Sequence, residues 1–402
     1  MPAPTPPDTQ VLPAAAPHGV LALGAYLKNR ACTLAGDAVR WSTLHGDLAD
    51  PAACVALEAS AESLLAALLQ PPAAVAHDLH PDFHSTRLAQ ALAARLHVPA
   101  VAVQHHHAHL ALVAAEHGLV DEPLLGWALD GVGLGLDGHA WGGELLWLDA
   151  ASRSTAWQRV AHLPPLALPG GDRAAREPWR MAAALLHALG RGDEIVSRFS
   201  ASVGTDAAAT VQRMLARTLN CPPTTAGGRW FDAAAAALGV HPQTQRDAEA
   251  AMALEAEAAR WLAVHAAPPP ASTLAELPAE VAALFDLPAE RRGEAAARFH
   301  LRLADALAHA AAAAAQEYGV RCVVLGGGCF ANRVLSQRLA ERLDAAGLRV
   351  LRPGAVSGCG DAGLALGQAW VAAWAVERGE AQRRADDART QEPAACASRC
   401  LH

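Results

Sequence analysis

The eight cysteines of this 402-residue chain include no Cys-x-x-Cys pair. Pairs at that spacing are typical of zinc ribbons and redox motifs, and a compact even set is typical of a secreted disulfide framework. Because these cysteines are scattered along the chain, we expect reduced thiols in a cytoplasmic protein.

Clustered basic residues are also lacking. The chain carries 32 Lys and Arg against 40 Asp and Glu, which gives a formal net charge of −8, and its pI is about 6.2. Nucleic-acid binding needs clustered Lys and Arg to neutralise phosphates. We therefore expect no nucleic-acid partner.

Long apolar runs and targeting signals are missing as well. No uncharged stretch of about 18 apolar residues predicts a bilayer span, so we expect no membrane partner. The Pro-rich start lacks a basic segment followed by an apolar run, which argues against a signal peptide and predicts a flexible leader over residues 1–17. The charged end predicts a flexible tail over residues 379–402.

What the chain does contain is an alternation of short apolar runs and amphipathic or Ala-rich stretches. Examples are the strand "VRCVVL", the helix that follows it and the strand "LRVLRP". Strands separated by helices of this length imply parallel crossovers, so the pattern predicts an α/β fold.

Four histidines stand close together in "VQHHHAH". His105 and His109 are four residues apart, so on a helix they lie about 40° apart on one face and could share a metal ion. His106 and His109, three apart, offer a second pairing. The alternative is a polar helix end with exposed imidazoles, and the spacing alone leaves both readings open.

Two aspartates could complete such a metal site. Asp130 ends an apolar strand before the glycines of "GVGLG", and Asp361 stands between "SGCG" and "AG" at the start of the last helix. Ligands commonly gather where strands end and helices begin. The alternatives are an Asp-Gly turn for Asp130 and a helix cap for Asp361.

Glycine-rich turns form a third set of candidates. Gly326–Gly328 follow an apolar strand and precede a helix, where backbone could approach a phosphate. The alternative is a tight turn, and Asn332 is either a nucleotide contact or a helix-surface residue. The "DGVGLGLDG" segment, with Gly131 and Gly133, offers a second cradle, and Lys28 offers a further contact.

Two motifs, "LPGGDRAAREPWRMA" and "TTAGGRWFDA", combine glycine with arginine. Arginine is suited to bidentate capture of phosphate or carboxylate. The alternative is an ordinary ion-paired loop. The arginines concerned are Arg173, Arg176, Arg180 and Arg229.

Taken together and in order, these motifs resemble the C-terminal transferase module of the HypF family, the carbamoyltransferases of nickel–iron hydrogenase maturation. The motifs "GAYLKN" and "DLHPDFHSTRLA" distinguish that family from the related tRNA threonylcarbamoyl transferases and O-carbamoyltransferases. The resemblance covers about residues 20–378, and its strength lies in the ordered set of motifs.

The resemblance implies a two-lobed actin/Hsp70/sugar-kinase-like (ASKHA) fold with a nucleotide cleft. We therefore predict lobe I over residues 18–120 and lobe II over residues 121–378. Lobe II would include an Ala-rich helical insertion at about residues 176–318.

It also implies the site residues. A divalent metal, iron or zinc, would be held by His105, His109, Asp130 and Asp361. Catalytic roles are expected for His106, Lys28 and Arg229. ATP or carbamoyl-adenylate would contact Gly131, Gly133, Gly170, Gly171, Asp172, Gly326, Gly327, Gly328 and Asn332.

The implied reaction transfers a carbamoyl group, derived from carbamoyl phosphate and ATP, to the C-terminal cysteine of the partner HypE. Full-length members carry further domains ahead of this module, for which 402 residues leave no room, so we expect the chain alone not to form the adenylate. Thr224 and Thr225 stand where serines are expected. The alternatives are transfer to tRNA or a small-molecule hydroxyl, and a non-catalytic nucleotide-binding scaffold.

Overall fold

The computed structural model describes residues 9–150, 156–241, 243–244, 246, 248–266 and 272–379. The chain divides into two compact units. Unit 1 comprises Met1–Val103 and Asp361–His402, and unit 2 comprises Gln104–Gly360.

Unit 1 is built on a six-stranded sheet of order β1-β4-β3-β2-β5-β6, in which β5 runs parallel to both β2 and β6 and the other pairs are antiparallel. Its strands are β1 Thr9–Val11, β2 Val20–Ala22, β3 Cys32–Ala35, β4 Ala38–Trp41, β5 Ala74–Asp78 and β6 Ala100–Val103. Its helices are α1 Pro51–Ala66, α2 His84–Leu96 and α13 Leu364–Glu377.

Helix α13 is apolar on nearly all sides, and most of its residues are buried. It packs on β2, β3 and β5, and Gln368 forms hydrogen bonds with both backbone groups of Gly24. Helix α1 begins after Asp50, whose carboxylate accepts a hydrogen bond from the backbone N–H of Ala52. The core between α1, α2 and the sheet includes Leu21, Leu57 and other apolar side chains.

Unit 2 contains a seven-stranded mixed sheet of order β10-β11-β8-β7-β12-β13, with β9 paired to β8. Its strands are β7 Leu124–Leu134, β8 Ala140–Leu148, β9 Trp157–His162, β10 Leu166–Ala167, β11 Pro223–Thr224, β12 Cys322–Gly326 and β13 Arg349–Leu351. Strands β7 and β8 form a long antiparallel hairpin, and β12 runs parallel to both β7 and β13.

The helices of unit 2 cover this sheet and extend beyond it. They are α3 His105–Glu116, α4 Arg173–Arg176, α5 Pro178–Ala188, α6 Glu194–Val203, α7 Thr205–Ala216, α8 Gly227–Ala237, α9 Glu249–Leu262, α10 Leu277–Ala282, α11 Arg292–Tyr318 and α12 Arg333–Ala345. The largest core lies between α5, α8, α9, α11 and α12 and the strands β7 and β12. Short 3-10 helices occupy Gly328–Ala331 in unit 2 and Asp361–Gly363 in unit 1.

The α/β architecture agrees with the prediction from the strand and helix alternation, but the bounds of the two units differ from the predicted lobes. Helix α3 belongs to unit 2 because it packs on β7 and β12, whereas the predicted lobe I included it. Helix α13 belongs to unit 1 because its apolar surface packs on the first sheet, whereas the predicted lobe II included it.

Part of the predicted flexible leader is ordered. Thr9–Val11 pairs with Ala38–Arg40 as the edge strand β1, and this pairing satisfies the backbone groups that face β4. The flexible leader predicted for residues 1–8 and the flexible tail predicted for residues 380–402 lie outside the described residues.

Within the described ranges, no helix has the length and apolar character needed to cross a bilayer. None of the six described cysteines forms a disulfide bond with another of them. Cys396 and Cys400 lie outside the described residues.

Candidate functional site

The histidines form the buried first turn of helix α3. Gln104 caps this helix, since its side-chain oxygen accepts a hydrogen bond from the backbone N–H of His107 at 2.9 Å. His105 is 3% exposed and His109 is 0% exposed. The structure therefore contradicts the reading of this segment as a polar helix end with exposed imidazoles.

Asp130 brings these two imidazoles together. Its Oδ2 atom lies 3.1 Å from Nε2 of His105 and 3.2 Å from Nε2 of His109. Candidate ligand atoms of the three residues all lie within 4.8 Å of one another. Asp130 occupies an irregular part of strand β7, where the pairing register with β8 shifts between Leu129 and Gly133. The irregularity turns its carboxylate toward the helix.

The second oxygen of Asp130 is held by backbone. Its Oδ1 atom accepts hydrogen bonds from the N–H of Gly131 at 2.9 Å and of Gly328 at 3.2 Å. Burial alone would raise the pKa of the carboxyl, but the hydrogen bonds from His105 and His109 outweigh it. They hold the pKa of Asp130 well below its usual range. The site thus contains a fixed carboxylate facing two imidazoles.

This donor set fits a divalent metal. Two imidazole nitrogens and one carboxylate oxygen are ligands that both zinc and iron(II) accept. His105, His109 and Asp130 lie close enough together to share one ion, and their assignment as its ligands stays a prediction. Asp361 begins the 3-10 helix of unit 1, and its assignment as a further ligand stays a prediction.

The glycines after strand β12 allow backbone to pack closely around this cluster. A Cβ on Gly326 would lie 2.9 Å from the carbonyl oxygen of His109. Gly327 has a φ of +99°, and a Cβ there would lie 2.3 Å from the carbonyl oxygen of Leu129. These two glycines are therefore required by packing, and their predicted contact with a nucleotide stays a prediction.

The glycines of strand β7 differ from one another. A Cβ on Gly133 would lie 2.7 Å from Cε1 of His106, so this glycine makes room for the imidazole. A Cβ on Gly131 would meet nothing within 4 Å. Gly131 is consequently a position beside Asp130 where bound ligand could approach the backbone.

His106 faces the same region but has other partners. The ring is completely buried, 6.2 Å from the ring of Trp141, and its Nδ1 lies 2.9 Å from the side-chain nitrogen of Gln104. Its Nε2 has no hydrogen-bond partner within the described part of the chain. Burial and the neighbouring His105 lower the pKa of His106 well below its ordinary value, so the imidazole is neutral.

Helix α8, which carries Arg229, begins beside the backbone of Asp130 and Gly131. A Cβ on Gly228 would lie 3.2 Å from the Cα of Gly131, so the start of this helix packs closely against strand β7. Arg229 forms an ion pair of 3.0 Å with Asp232, one turn along the same helix.

Lys28, the third predicted catalytic residue, is exposed in unit 1 and has a φ of +47°. The catalytic roles of Arg229 and Lys28 stay predictions.

Asn332 is buried rather than on a helix surface, and its side chain is fully engaged. Its oxygen caps helix α12 by accepting from the N–H of Leu335 at 3.0 Å. Its nitrogen lies 2.9 Å from Nε2 of buried His300. The predicted nucleotide contact by Asn332 stays a prediction.

Gly170, Gly171 and Asp172 form the turn before helix α4. Gly170 lines a cavity of about 450 Å³ together with Arg173, Arg180 and five other residues, none of which belongs to the His–Asp cluster. Both arginines pair with Glu177, at 2.6 and 2.5 Å. These contacts match the alternative of an ion-paired loop, and the nucleotide role predicted for the turn stays a prediction.

Sequence reasoning missed a buried carboxylate beside the site. Glu144 on strand β8 is 0% exposed and accepts hydrogen bonds from Arg159 and from the hydroxyl of Thr225. The guanidinium of Arg159 also lies over the ring of Trp141 at 4.1 Å. Thr225, which stands where a serine is expected, still supplies its hydroxyl. An acidic residue within the apolar strand "WGGELLWL" was the available signal.

Two family models match the chain. One is described as "HypF Kae1-like domain" and matches residues 15–116. The other is described as "Carbamoyltransferase, Kae1-like Domain, second subdomain" and matches residues 126–368. The chain belongs to the HypF carbamoyltransferase family. The predicted family and enzyme class are thereby confirmed.

Relatives in this family are highly similar. A carbamoyltransferase HypF homolog of Cupriavidus necator is 56% identical over 376 residues, which cover 90% of this chain and 94% of the relative. Carbamoyltransferase HypF2 of the same organism is 48% identical, over 88% of this chain and 46% of the relative. Carbamoyltransferase HypF of Rhizobium leguminosarum bv. viciae is 40% identical, over 87% and 44%.

Solved HypF structures share the fold. Full-length HypF in its phosphate- and nucleotide-bound form matches with a TM-score of 0.80 and 29% identity, over 92% of this chain and 48% of that chain. HypF of T. kodakarensis matches with a TM-score of 0.80 and 28% identity, over 92% and 49%. The predicted α/β fold class is confirmed, and the fold is that of HypF. The chain spans about half the length of these HypF proteins.

Proposed function

We propose that this chain transfers a carbamoyl group from carbamoyl-adenylate to the C-terminal cysteine thiol of a HypE-type acceptor. The thiol sulfur forms a bond to the carbamoyl carbon, the bond from that carbon to the adenylate phosphate breaks, and AMP and a proton leave. The observation that supports the proposal is the convergence of His105, His109 and Asp130 in a member of the HypF family.

The metal belongs to this proposal. His105, His109 and Asp130 would hold a divalent zinc or iron ion, with Asp361 as a further ligand. A bound ion supplies positive charge that polarises a carbonyl or phosphoryl oxygen. The buried carboxylate with a low pKa is ionised at neutral pH, which suits it to that ion.

His106 is suited to donate a hydrogen bond to the substrate. The side-chain oxygen of Gln104 accepts a hydrogen bond from the backbone N–H of His107. The side-chain nitrogen of Gln104 is therefore the group that faces Nδ1 of His106. Nδ1 therefore accepts, and the proton of the neutral ring sits on Nε2. Since Nε2 has no partner among the described residues, its N–H is available for the carbamoyl oxygen, where negative charge develops in the transition state.

The nucleotide would approach the backbone at Gly131, where space is open, near the start of helix α8. Helix N-termini favour phosphate because their first N–H groups lack partners within the helix. Arg229 and Lys28 would add positive charge to the bound adenylate. The predicted cytoplasmic location completes the proposal and is equally a prediction.

The experiment is intact-protein mass spectrometry of HypE after incubation with the full chain, carbamoyl-adenylate and a divalent metal. We expect a carbamoyl adduct on wild-type HypE and none when its C-terminal cysteine is replaced by alanine. His106→Ala should slow the transfer roughly 100-fold, the typical cost of losing one oxyanion donor. His187→Ala, an exposed histidine on α5, is the matched control.

Parallel incubations contain tRNA or a small-molecule hydroxyl acceptor in place of HypE. Carbamoylation of either one, with HypE unmodified, would replace the proposed acceptor by the alternative. Lack of any transfer from the adenylate by the metal-loaded chain would contradict the proposal.

A further inference from the structure

The cavity beside the turn at Gly170 has a lining that suits a ligand of its own. Its volume of about 450 Å³ falls in the range of roughly 300–1,000 Å³ that is typical of small-molecule sites. The lining includes two arginines, Arg173 and Arg180, and side chains of helix α7, all within unit 2. None of the candidate metal ligands lines it, so a ligand held here would be additional to that centre.

Arg180 is a buried cation with donor capacity left over. Its side chain is 6% exposed, and its Nε donates a hydrogen bond to Glu177 at 2.5 Å. Its Nη1 donates to the carbonyl oxygen of Pro169 at 3.1 Å. Among the described residues, none accepts a hydrogen bond from Nη2. The guanidinium is therefore fixed in orientation, lines the cavity and retains N–H groups for a ligand.

Glu177 pairs with both arginines but carries a single negative charge. Its Oε1 atom lies 2.6 Å from Nε of Arg173, and its Oε2 atom lies 2.5 Å from Nε of Arg180. Arg173 donates only through Nε to the described part of the chain, so its terminal nitrogens stay available. The trio has one positive charge in excess. A bound oxyanion would balance it, and the forked guanidinium geometry suits phosphate and carboxylate.

Helix α7 contributes a row of side chains to the same cavity. Asp206, Thr210 and Met214 follow one another at intervals of four residues, so they lie along one face of the helix. The exposed Asp206 accepts hydrogen bonds, Thr210 donates and accepts them, and Met214 offers an apolar surface. The carboxylate of Asp206 favours a hydroxyl or amino group over a second anionic group. The row therefore suits a short carbon skeleton that carries hydroxyl or amino groups.

We propose that this cavity binds a small oxyanion ligand. A phosphate or carboxylate group contacts Arg180 and Arg173, and the hydroxyl or amino groups of the ligand face Asp206 and Thr210. The site is independent of the proposed carbamoyl transfer, since none of its lining residues belongs to the His–Asp cluster.

The test is isothermal titration calorimetry of the full chain at low ionic strength. The probes are glycerol 3-phosphate, glycerate and glycerol, which share a hydroxylated skeleton and differ in the charged group. We expect glycerol 3-phosphate or glycerate to bind at one molecule per chain, and glycerol not to bind. The tighter of the two anions identifies the oxyanion as phosphate or carboxylate.

Substitutions locate the binding. Arg180→Met keeps the apolar stem and should raise the dissociation constant of the bound probe roughly tenfold or more, as expected for a lost hydrogen bond to a charged group. Arg173→Met should have a smaller effect in the same direction. Because Arg173 is exposed, this variant keeps the test valid if Arg180→Met does not fold. Arg260→Met, at an exposed arginine on α9, is the matched control and should bind as wild type does.

Three results would overturn the inference. They are a wild-type chain that binds neither anion, a chain that binds glycerol as tightly as the anions, and folded Arg173→Met and Arg180→Met variants that both have wild-type affinity. A loss of ATP binding in folded Arg180→Met would make the cavity part of the nucleotide site and would also overturn it. A failure of carbamoyl transfer with intact probe binding would contradict the proposed function alone.

Discussion

Gly131 follows Asp130 in the chain, and Gly327 packs against Leu129, the residue before Asp130. The two glycines differ in the space around their Cβ positions. Gly327 combines a left-handed φ of +99° with a hypothetical Cβ only 2.3 Å from the carbonyl oxygen of Leu129. Gly131 has open space around its Cβ position. Replacing Gly327 therefore disturbs the fold itself, so Gly131 is the better position at which to test nucleotide binding.

We predict that Gly131→Val leaves the melting temperature of the ligand-free chain nearly unchanged and abolishes its increase on adding ATP or an adenylate analogue. Ligand binding stabilises the wild type by about 2.7 kcal/mol at a hundredfold excess over the dissociation constant. Gly327→Val should destabilise the ligand-free chain by roughly 3 kcal/mol, since backbone strain and overpacking each cost 1–3 kcal/mol. Differential scanning fluorimetry measures both effects. An undiminished shift in Gly131→Val would place the nucleotide elsewhere.

Residue spacing supplied candidates for part of the site, and the family resemblance selected among them. His105 and His109 were candidates because they are four residues apart, and Asp130 because a carboxylate stood between an apolar strand and glycines. Gln104 and Glu144 were missed. The Thr225 partner of Glu144 is distant in sequence, and only the fold brings the two together. The role of Gln104 depends on an amide orientation that residue types do not reveal.

At the scale of elements, helices α11 and α12 meet through a buried polar pair. His300 is completely buried on α11, and its Nδ1 lies 2.8 Å from the carbonyl oxygen of Ala296. Its Nε2 accepts from the side-chain nitrogen of Asn332, whose oxygen caps α12. Protonation would place an N–H against that amide N–H. The link between the two helices therefore requires a neutral imidazole.

We predict that this pair makes the stability of the chain fall in mild acid. Burial lowers the pKa of His300 from 6.5 to about 4. Between these values the unfolded state binds the proton and the folded state does not, so stability is full above about pH 6.5 and declines as the pH drops toward 4. The loss is on the order of 3 kcal/mol, at about 1.4 kcal/mol per pKa unit.

Urea unfolding of wild type and His300→Gln at several pH values between 4 and 7 measures this loss. Glutamine can still meet the Asn332 amide but does not titrate, so the variant should show a smaller decline with falling pH. His265→Gln, an exposed histidine on the chain after α9, is the control and should retain the wild-type slope. Identical slopes for wild type and His300→Gln would exclude His300 as the source.

The type of element was easier to predict than its place in the fold. The alternation of apolar runs and helical patterns correctly indicated an α/β protein. The edge strand β1 was missed because its partner β4 lies almost 30 residues later, and a Pro-rich segment gives no periodic signal. Helix α13 falls in unit 1 rather than with the residues that precede it, because packing on β2, β3 and β5, rather than sequence order, decides its unit.

At the scale of the whole molecule, the chain contains both Kae1-like family matches and spans nearly all of the Cupriavidus necator HypF homolog. It spans about half of the full-length HypF structures. The predicted resemblance rested on the order of many weak motifs, and the family matches confirm it.

The central claim is that His105, His109 and Asp130 form a metal centre, and the most direct measurement is the metal content of the chain. After equilibrium dialysis against Zn²⁺ or anaerobic Fe²⁺, elemental analysis should find about one ion per chain, as expected for a single cluster of this type. The His105→Ala/His109→Ala variant should retain almost none, while His187→Ala should retain the wild-type amount. Full occupancy in the folded double variant would contradict the account.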